Sequence, residues 1–464
     1  MSLPVSLSLT ADQRAAVMRH VFPDDDCEAV VIALCGRAAS SDRHRLVVRR
    51  LEPIPYERCS VRKPDQVTWP TEVLVPWLEE AQRRNWAVVK IHGHRGYDCF
   101  SDTDDRSDAI LFPSIAAWTD SPDPHASVIV MDDGRMFGRV VDADGRFHPL
   151  AQVQVVGDDL EFFRPPAQEA MPAFAQRIIQ SFGKGTMERL RQLRIAVIGA
   201  SGTGSLVIEM LARNGVGHLV LVDPDCVEEK NLNRIVNTTM ADAHSQTFKV
   251  DVAARTIAAM DLGTSVSTHA RTLFHPEVVR DVASCDVVFG CVDSIDGRFL
   301  LNKLATFYTL PYFDLGVKIE ADGKGGVDQV AGSVHYLKPG GSSLVSRHTI
   351  TMEQVRAAGL RRTDPARYQQ ELKEGYVRGV AEDRPAVIQL NALIASLAIN
   401  EFLARLHPYR QDSNADYAIL RVSLSHGIWD HYADEERCAV LARHLGRGDC
   451  APLLDAPELS EEAL

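Results

Sequence analysis

Two clusters of chemically capable residues stand far apart in the chain. The first begins with RIAVIGASGTGS at 194–205, followed by HLVLVDPD at 218–225. An apolar run ending at Gly199, with Gly202 and Gly204 behind it, lets the backbone close on a phosphate and offers free N–H groups where a helix starts. Asp223 ends the next apolar run, at the distance where a ribose hydroxyl would sit. Glycine-rich turns also serve packing alone, and a dehydrogenase shares this fingerprint, so the loop does not choose a chemistry by itself. Arg234, Lys249 and Asp293 follow in order. Attack of a carboxylate on an α-phosphate needs cations around the spreading charge and a metal on the leaving pyrophosphate. Two cations, Arg234 and Lys249, and an acid, Asp293, are residue types that could serve such a step.

The second cluster is KIHGHRGYDCFSDTDDRSD at 90–108. His92 and His94, two apart at a strand end, project to the same side. With Asp104 they give two imidazoles and one carboxylate, the donor set of a zinc site that keeps its fourth position open for water. Such a site makes a nucleophile for amide hydrolysis if a carboxylate shuttles the proton. Glu28, at the start of the apolar run Ala29 to Cys35, is the candidate.

The segments EEKNLNR, Lys249 and CVDSIDGR resemble the activating-enzyme family of ubiquitin-activating enzymes and the ThiF/MoeB-like sulfur-carrier activators. That resemblance covers about residues 174–338 and implies Asp223 on the ribose, Asn231, Arg234 and Lys249 on the triphosphate, and Asp293 on magnesium. It also makes FAQRIIQSFGKG a leading helix whose Arg177 reaches a partner subunit's nucleotide, hence a homodimer. Ser201 departs from the family's usual glycine. The histidine cluster resembles the JAMM/MPN metalloproteases that act on ubiquitin-like proteins, with Ser101 steadying the oxyanion. The seven-residue step from His94 to Ser101 is one shorter than that family's, which leaves Asp105 open as the ligand in place of Asp104.

These residues need a scaffold. Strand-like runs at 29–35, 46–51, 86–91, 126–131 and 139–141, a helix at 74–84 and an acidic loop at 93–108 predict an N-terminal JAMM-like α/β domain over 1–157. Residues 158–193 read as a linker and a helix over 173–193. From 194 to 435, strands alternating with helices predict a Rossmann-like doubly wound parallel sheet. The remainder, 436–464, reads as a tail, acidic and solvated from Asp455.

A length of 464 residues fits two or three domains, and 45% apolar with 24% charged residues is ordinary for a folded protein. A net charge of −13 disfavours nucleic acid as a partner. No stretch approaches the roughly 18 apolar residues of a spanning helix, so no membrane partner and a cytoplasmic location are expected. Nine scattered cysteines without a Cys-x-x-Cys pair fit a reducing compartment. Between Cys291 and Cys438 there is none, and LKPGGSSLVSRH places Ser343 and Ser346 where relatives carry paired cysteines. Chemistry that stops at the adenylate, an oxyester on Ser343 or Ser346, and a thioester on Cys438 or Cys450 all stay open.

The expectation is a bifunctional enzyme of a bacterial-type ubiquitin-like pathway. It uses ATP, magnesium and zinc, and its partners are a small modifier ending in glycine and a conjugating enzyme. A sulfur-carrier or tRNA-base adenylating enzyme and a non-catalytic modifier-binding scaffold are the alternatives.

Overall fold

Alternation along one strand explains the layering of the N-terminal part. Val31, Ala33 and Cys35 enter one buried cluster, and Val30, Ile32 and Leu34 enter another. A strand buried on both faces belongs in the middle of a sheet covered on two sides. In the computed structural model, which describes residues 3–165, 171–322, 324, 326–374, 387–434 and 436–460, that is what forms.

The chain divides into two units. The first comprises Met1–Glu169, Phe307–Thr309 and His444–Ala451. Its elements are β1 (Val5–Thr10), α1 (Ala11–Val21), β2 (Val30–Ala39), β3 (His44–Pro53), a small hairpin of β4 (Val61–Lys63) and β5 (Gln66–Thr68), α2 (Val75–Arg84) and β6 (Ala87–His94). Then come α3 (Asp102–Thr119), β7 (His125–Met131), β8 (Met136–Val141), β9 (Phe147–Pro149), β10 (Gln152–Val156) and β11 (Leu160–Phe163). Nine strands form one mixed sheet in the order β11-β10-β1-β3-β2-β6-β7-β8-β9. Val17 and Val21 of α1 cover one face. Leu78 and Ala81 of α2, with Leu111, Phe112 and Ile115 of α3, cover the other.

The second unit comprises Ala170–Thr306, Leu310–Arg443 and Pro452–Leu464. It runs α4 (Gln176–Phe182), α5 (Lys184–Gln192), β12 (Arg194–Ile198), α6 (Gly202–Arg213), β13 (His218–Val222), α7 (Met240–His244), α8 (Lys249–Met260), β14 (Ser265–His269), α9 (Pro276–Ala283), β15 (Val287–Gly290) and α10 (Ile295–Phe307). It ends with β16 (Tyr312–Ala321), β17 (Val327–Leu337), α11 (Met352–Thr363), α12 (Pro365–Lys373), α13 (Ile388–Leu406), β18 (Ile419–Ser423) and β19 (Ile428–Tyr432). The sheet order is β14-β13-β12-β15-β16-β17-β18-β19. The chain builds outward from β12 to β14, then crosses to β15 on the other side, with parallel pairing throughout. The crevice at the carboxyl ends of β12 and β15 is therefore the switch point where α/β sheets bind ligands.

Several sequence expectations are corrected here. The loop expected over 93–108 becomes helical at Asp102. Ser101 Oγ accepts from the Asp104 N–H, Asp104 accepts in return from Ser101, and three acids occupy the first turn at its positive end. The boundary at 157 falls inside a hairpin, because β11 continues the first sheet antiparallel to β10. The helix over 173–193 breaks at Gly183, whose φ of +81° leaves helical space. The second sheet is parallel only through β16, and β17, β18 and β19 pair antiparallel. The solvated tail is not observed through residue 460: Leu453, Leu454 and Leu459 are buried, and 444–451 belong to the first unit. Residues 461–464 lie outside the described residues.

Candidate active sites

The glycine loop is fixed by contact between backbones. Gly199 has φ +93°, and a Cβ there would lie 2.6 Å from the Cys291 carbonyl oxygen. A Cβ at Gly204 would lie 1.7 Å from the Gly199 carbonyl oxygen, so only glycine lets α6 start this close to β12. Ser201 is the residue preceding α6, and its side chain makes no capping bond. Asp223 Oδ2 accepts from the Ala200 N–H at 2.7 Å, which ties the end of β13 to this loop. Burial raises its carboxyl pKa against the opposing charge of Lys249.

Lys249 opens α8 with its Nζ 2.7 Å from Asp225 Oδ2 and 3.6 Å from Asp223 Oδ1. Asn231 is buried, its Oδ1 accepting from the Glu228 N–H at 3.0 Å. Arg234 donates to the Lys230 carbonyl at 2.7 Å. Asp293 is exposed in the segment after β15. Gly199, Gly202, Asp223, Asn231, Arg234, Lys249 and Asp293 all line one cavity of about 750 Å³ at the switch point. Gly204 packs behind it. Arg177 does not line it: exposed on α4, it donates to Gln180 at 3.1 Å.

The same cavity is lined by residues that the sequence did not single out. Arg362 of α11 pairs with Asp296 at 2.9 Å and stacks 3.3 Å over the Phe274 ring. Arg298 donates to the fully buried Asp314 at 2.9 Å, and Tyr312 donates to the same oxygen at 2.8 Å. Asn391 reaches the cavity from α13. Arg298 lay within the CVDSIDGR motif, but its partner lies on a different strand. For Arg362 and Asn391 no local signal exists.

In the first unit, strand parity builds the second site. Val89 and Ile91 of β6 face the α1 side, so Lys90, His92 and His94 face α3. His92 Nε2 lies 3.0 Å from Asp104 Oδ1, and His94 Nε2 lies 3.6 Å from Asp104 Oδ2. Asp105 instead pairs with Arg139. The pairing of Val30 with His92 places Glu28, two residues earlier, toward the end of β6 that carries His94. Its carboxyl is pushed up to about 7 by burial and by the charges of Asp104 and Asp65. Ser101 donates its hydroxyl to Asp104 at 2.7 Å and so orients that carboxylate.

A cation fits this arrangement. The two Nε2 atoms stand 3.1 Å apart, and nitrogen lone pairs at that distance repel unless a proton or cation lies between them. Ligand atoms of His92, His94 and Asp104 all lie within 4.8 Å of one another, and both Nδ1 atoms are buried without partners. Two imidazoles and a carboxylate suit zinc.

Residues 175–437, more than half of the chain, match the ThiF family. The chain belongs to the ThiF family. Among its relatives is the ubiquitin-like modifier-activating enzyme 5 of Drosophila willistoni, 30% identical over 165 residues that cover 33% of this chain and 38% of that protein. The Aedes aegypti enzyme of the same name is likewise 30% identical, over 33% of this chain and 39% of its own. The match thus spans under two fifths of these curated relatives. Escherichia coli MccB with succinimide aligns at a TM-score of 0.44 and 17% identity, covering 58% of this chain and 74% of that one.

This ThiF-family chain also answers where its thiols lie. Cys291 is half-buried against the glycine loop, and desolvation pushes its thiol pKa up. Cys438 is buried and accepts from Ser343 Oγ at 3.0 Å, while Ser346 Oγ accepts from the Ser343 N–H at 2.9 Å. Cys450 belongs to the first unit. Among the described residues, no helix is long and apolar enough to cross a membrane.

Proposed function

We propose that the second unit adenylates the C-terminal carboxylate of a ubiquitin-like protein with ATP. The convergence of the glycine loop, Asp223, Asn231, Arg234, Lys249 and Asp293 on one cavity at the switch point carries this reading, and membership of the ThiF family supports it. In the step, a carboxylate oxygen of the modifier attacks the α-phosphorus as the bond to pyrophosphate breaks. Asp223 accepts from the ribose. Arg234 and Lys249 offset charge on the phosphates, Lys249 giving up part of its pairing with Asp225. Asp293, which lines the cavity, would hold magnesium, and that ion would supply further neutralisation of the phosphate charge.

Arg177, exposed on α4, serves the cavity of a second copy in a homodimer. In this reading the chemistry stops at the adenylate, which the burial of Ser343 and Cys438 and the hydrogen bond between them support; a conjugating enzyme or an acceptor amine then takes the acyl group. Incubation of protein, ATP, magnesium and a Gly-terminated modifier gives pyrophosphate exchange. Absence of exchange with every such modifier, while ATP still binds, overturns adenylation and favours a binding scaffold.

The first unit, in the same reading, is a JAMM-like zinc peptidase that trims or removes this modifier within a bacterial-type conjugation pathway. The convergence of His92, His94 and Asp104 carries it. His92, His94 and Asp104 would hold zinc, which when bound would supply the Lewis acidity that lets water act as a nucleophile near neutral pH. Glu28, its carboxyl pushed up to about 7, takes and returns the proton. Ser101 positions Asp104 and can turn its hydroxyl to the oxyanion. Cleavage of a C-terminally extended modifier is lost in His92→Ala and Glu28→Gln; unchanged cleavage in either variant rules the site out.

A further inference from the structure

Asn391 stands out among the polar groups around the nucleotide cavity. It lies on α13, in a part of the chain remote from every motif of the site, and is 1% exposed. Its Oδ1 accepts from the Thr203 hydroxyl at 3.2 Å, which fixes which end of the amide faces the loop. Its Nδ2 is buried with no hydrogen-bond partner. That amine occupies the space over Gly202: a Cβ there would come within 2.2 Å of it. Asn391, Gly202 and Thr203 line the same cavity.

The first N–H groups of an α-helix have no intrahelical acceptor, and α6 begins at Gly202. A donor-only amine therefore sits against backbone donors at the positive end of a helix. Buried donors without acceptors are costly, and an unpartnered Nδ2 beside the start of a helix calls for an anionic acceptor there. Glycine at 202 is thus explained twice, by the approach of the ligand and by the approach of this amide.

We propose that Asn391 is a phosphate-binding residue, its Nδ2 donating to a phosphate oxygen held by the glycine loop, with Thr203 fixing the orientation of the amide. This rests on the nucleotide reading of the cavity. It makes α13 part of the nucleotide site, so the loop is completed only when that helix is docked on α6.

The test compares ATP and adenosine binding, each by calorimetry, for the full chain with magnesium present. Asn391→Ala is expected to weaken ATP on the order of 10-fold and to leave adenosine within about two-fold. Asn391→Asp keeps the shape but turns a donor into a charged acceptor, and is expected to weaken ATP further. Thr203→Val, which frees the amide to turn, is expected to fall between wild type and Asn391→Ala. Equal loss of ATP and adenosine would mean a packing role and overturn the proposal, as would undiminished ATP binding in both Asn391 variants. If the wild-type chain binds no ATP, the nucleotide reading itself fails, an outcome distinct from the other two. Thermal unfolding of each variant without nucleotide identifies misfolding, and any variant that fails it is judged on the remaining ones.

Discussion

Asp108 is fully buried between two cations that are themselves nearly buried. Its Oδ2 accepts from Arg139 at 2.7 and 3.2 Å, and its Oδ1 pairs with Lys90. Removing the carboxylate takes from buried Lys90 its paired anion and leaves Arg139 with Asp105 alone. Asp108→Ala is expected to lower the unfolding free energy of the first unit by about 3–5 kcal/mol, measured by urea denaturation. His125 governs acid stability of the same region. Burial and the charge of Arg37 push its pKa down to about 3, and its Nδ1 accepts from the Val88 N–H at 3.0 Å. As pH falls below the ordinary 6.5, the unfolded chain takes a proton that the folded chain refuses until about pH 3. Stability therefore drops across that window, by up to about 1.4 kcal/mol per pH unit from this group. His44, pushed down to about 4, acts in the same direction. Urea midpoints should be lower at pH 5 than at pH 7, and His125→Asn should reduce the difference; an unchanged slope in that variant assigns it to other groups.

At the scale of elements, the sharpest dependence is on the turn from β12 to α6. Gly204→Ala sets a methyl 1.7 Å from the Gly199 carbonyl, so the turn must open. ATP affinity is expected to fall on the order of 100-fold, read by calorimetry, with the rest of the sheet retained. This turn was legible in the sequence because everything that fixes it is local: a β-branched run, spaced glycines, and an acid ending the next strand. His92 and His94 were legible for the same reason, through the two-residue period of a strand. Ser101 and Asp104 carried two messages. Their spacing reads as a ligand set and equally as a capping box, and taking only the first left α3 hidden in a loop. Asn391, Arg362 and the Arg298–Asp314 pair join segments that meet only in the folded sheet. The antiparallel half of that sheet was hidden too, since β16 and β17 read locally like any other strands. Leu453 and Leu454 were outweighed by the acidic residues around them, although two adjacent leucines in a terminal segment are a cue for docking.

For the whole molecule, each proposed ligand belongs to a different unit, which makes the two assignments separable in a single experiment. A ligand that binds only the folded unit stabilises it by about 2.7 kcal/mol at a hundred times its dissociation constant. For units of this size that is a rise in Tm of about 5–10 °C. Differential scanning calorimetry of the full chain should show one transition moved by ATP with magnesium and one moved by zinc. Asp293→Ala should reduce the first shift and keep the second. His92→Ala should abolish the second and keep the first, because its imidazole belongs to the first unit, where it lies 3.0 Å from the Asp104 carboxylate. Loss of the ATP shift in His92→Ala, or of the zinc shift in Asp293→Ala, would show that the ligands are assigned to the wrong units, whatever activity the wild-type protein displays.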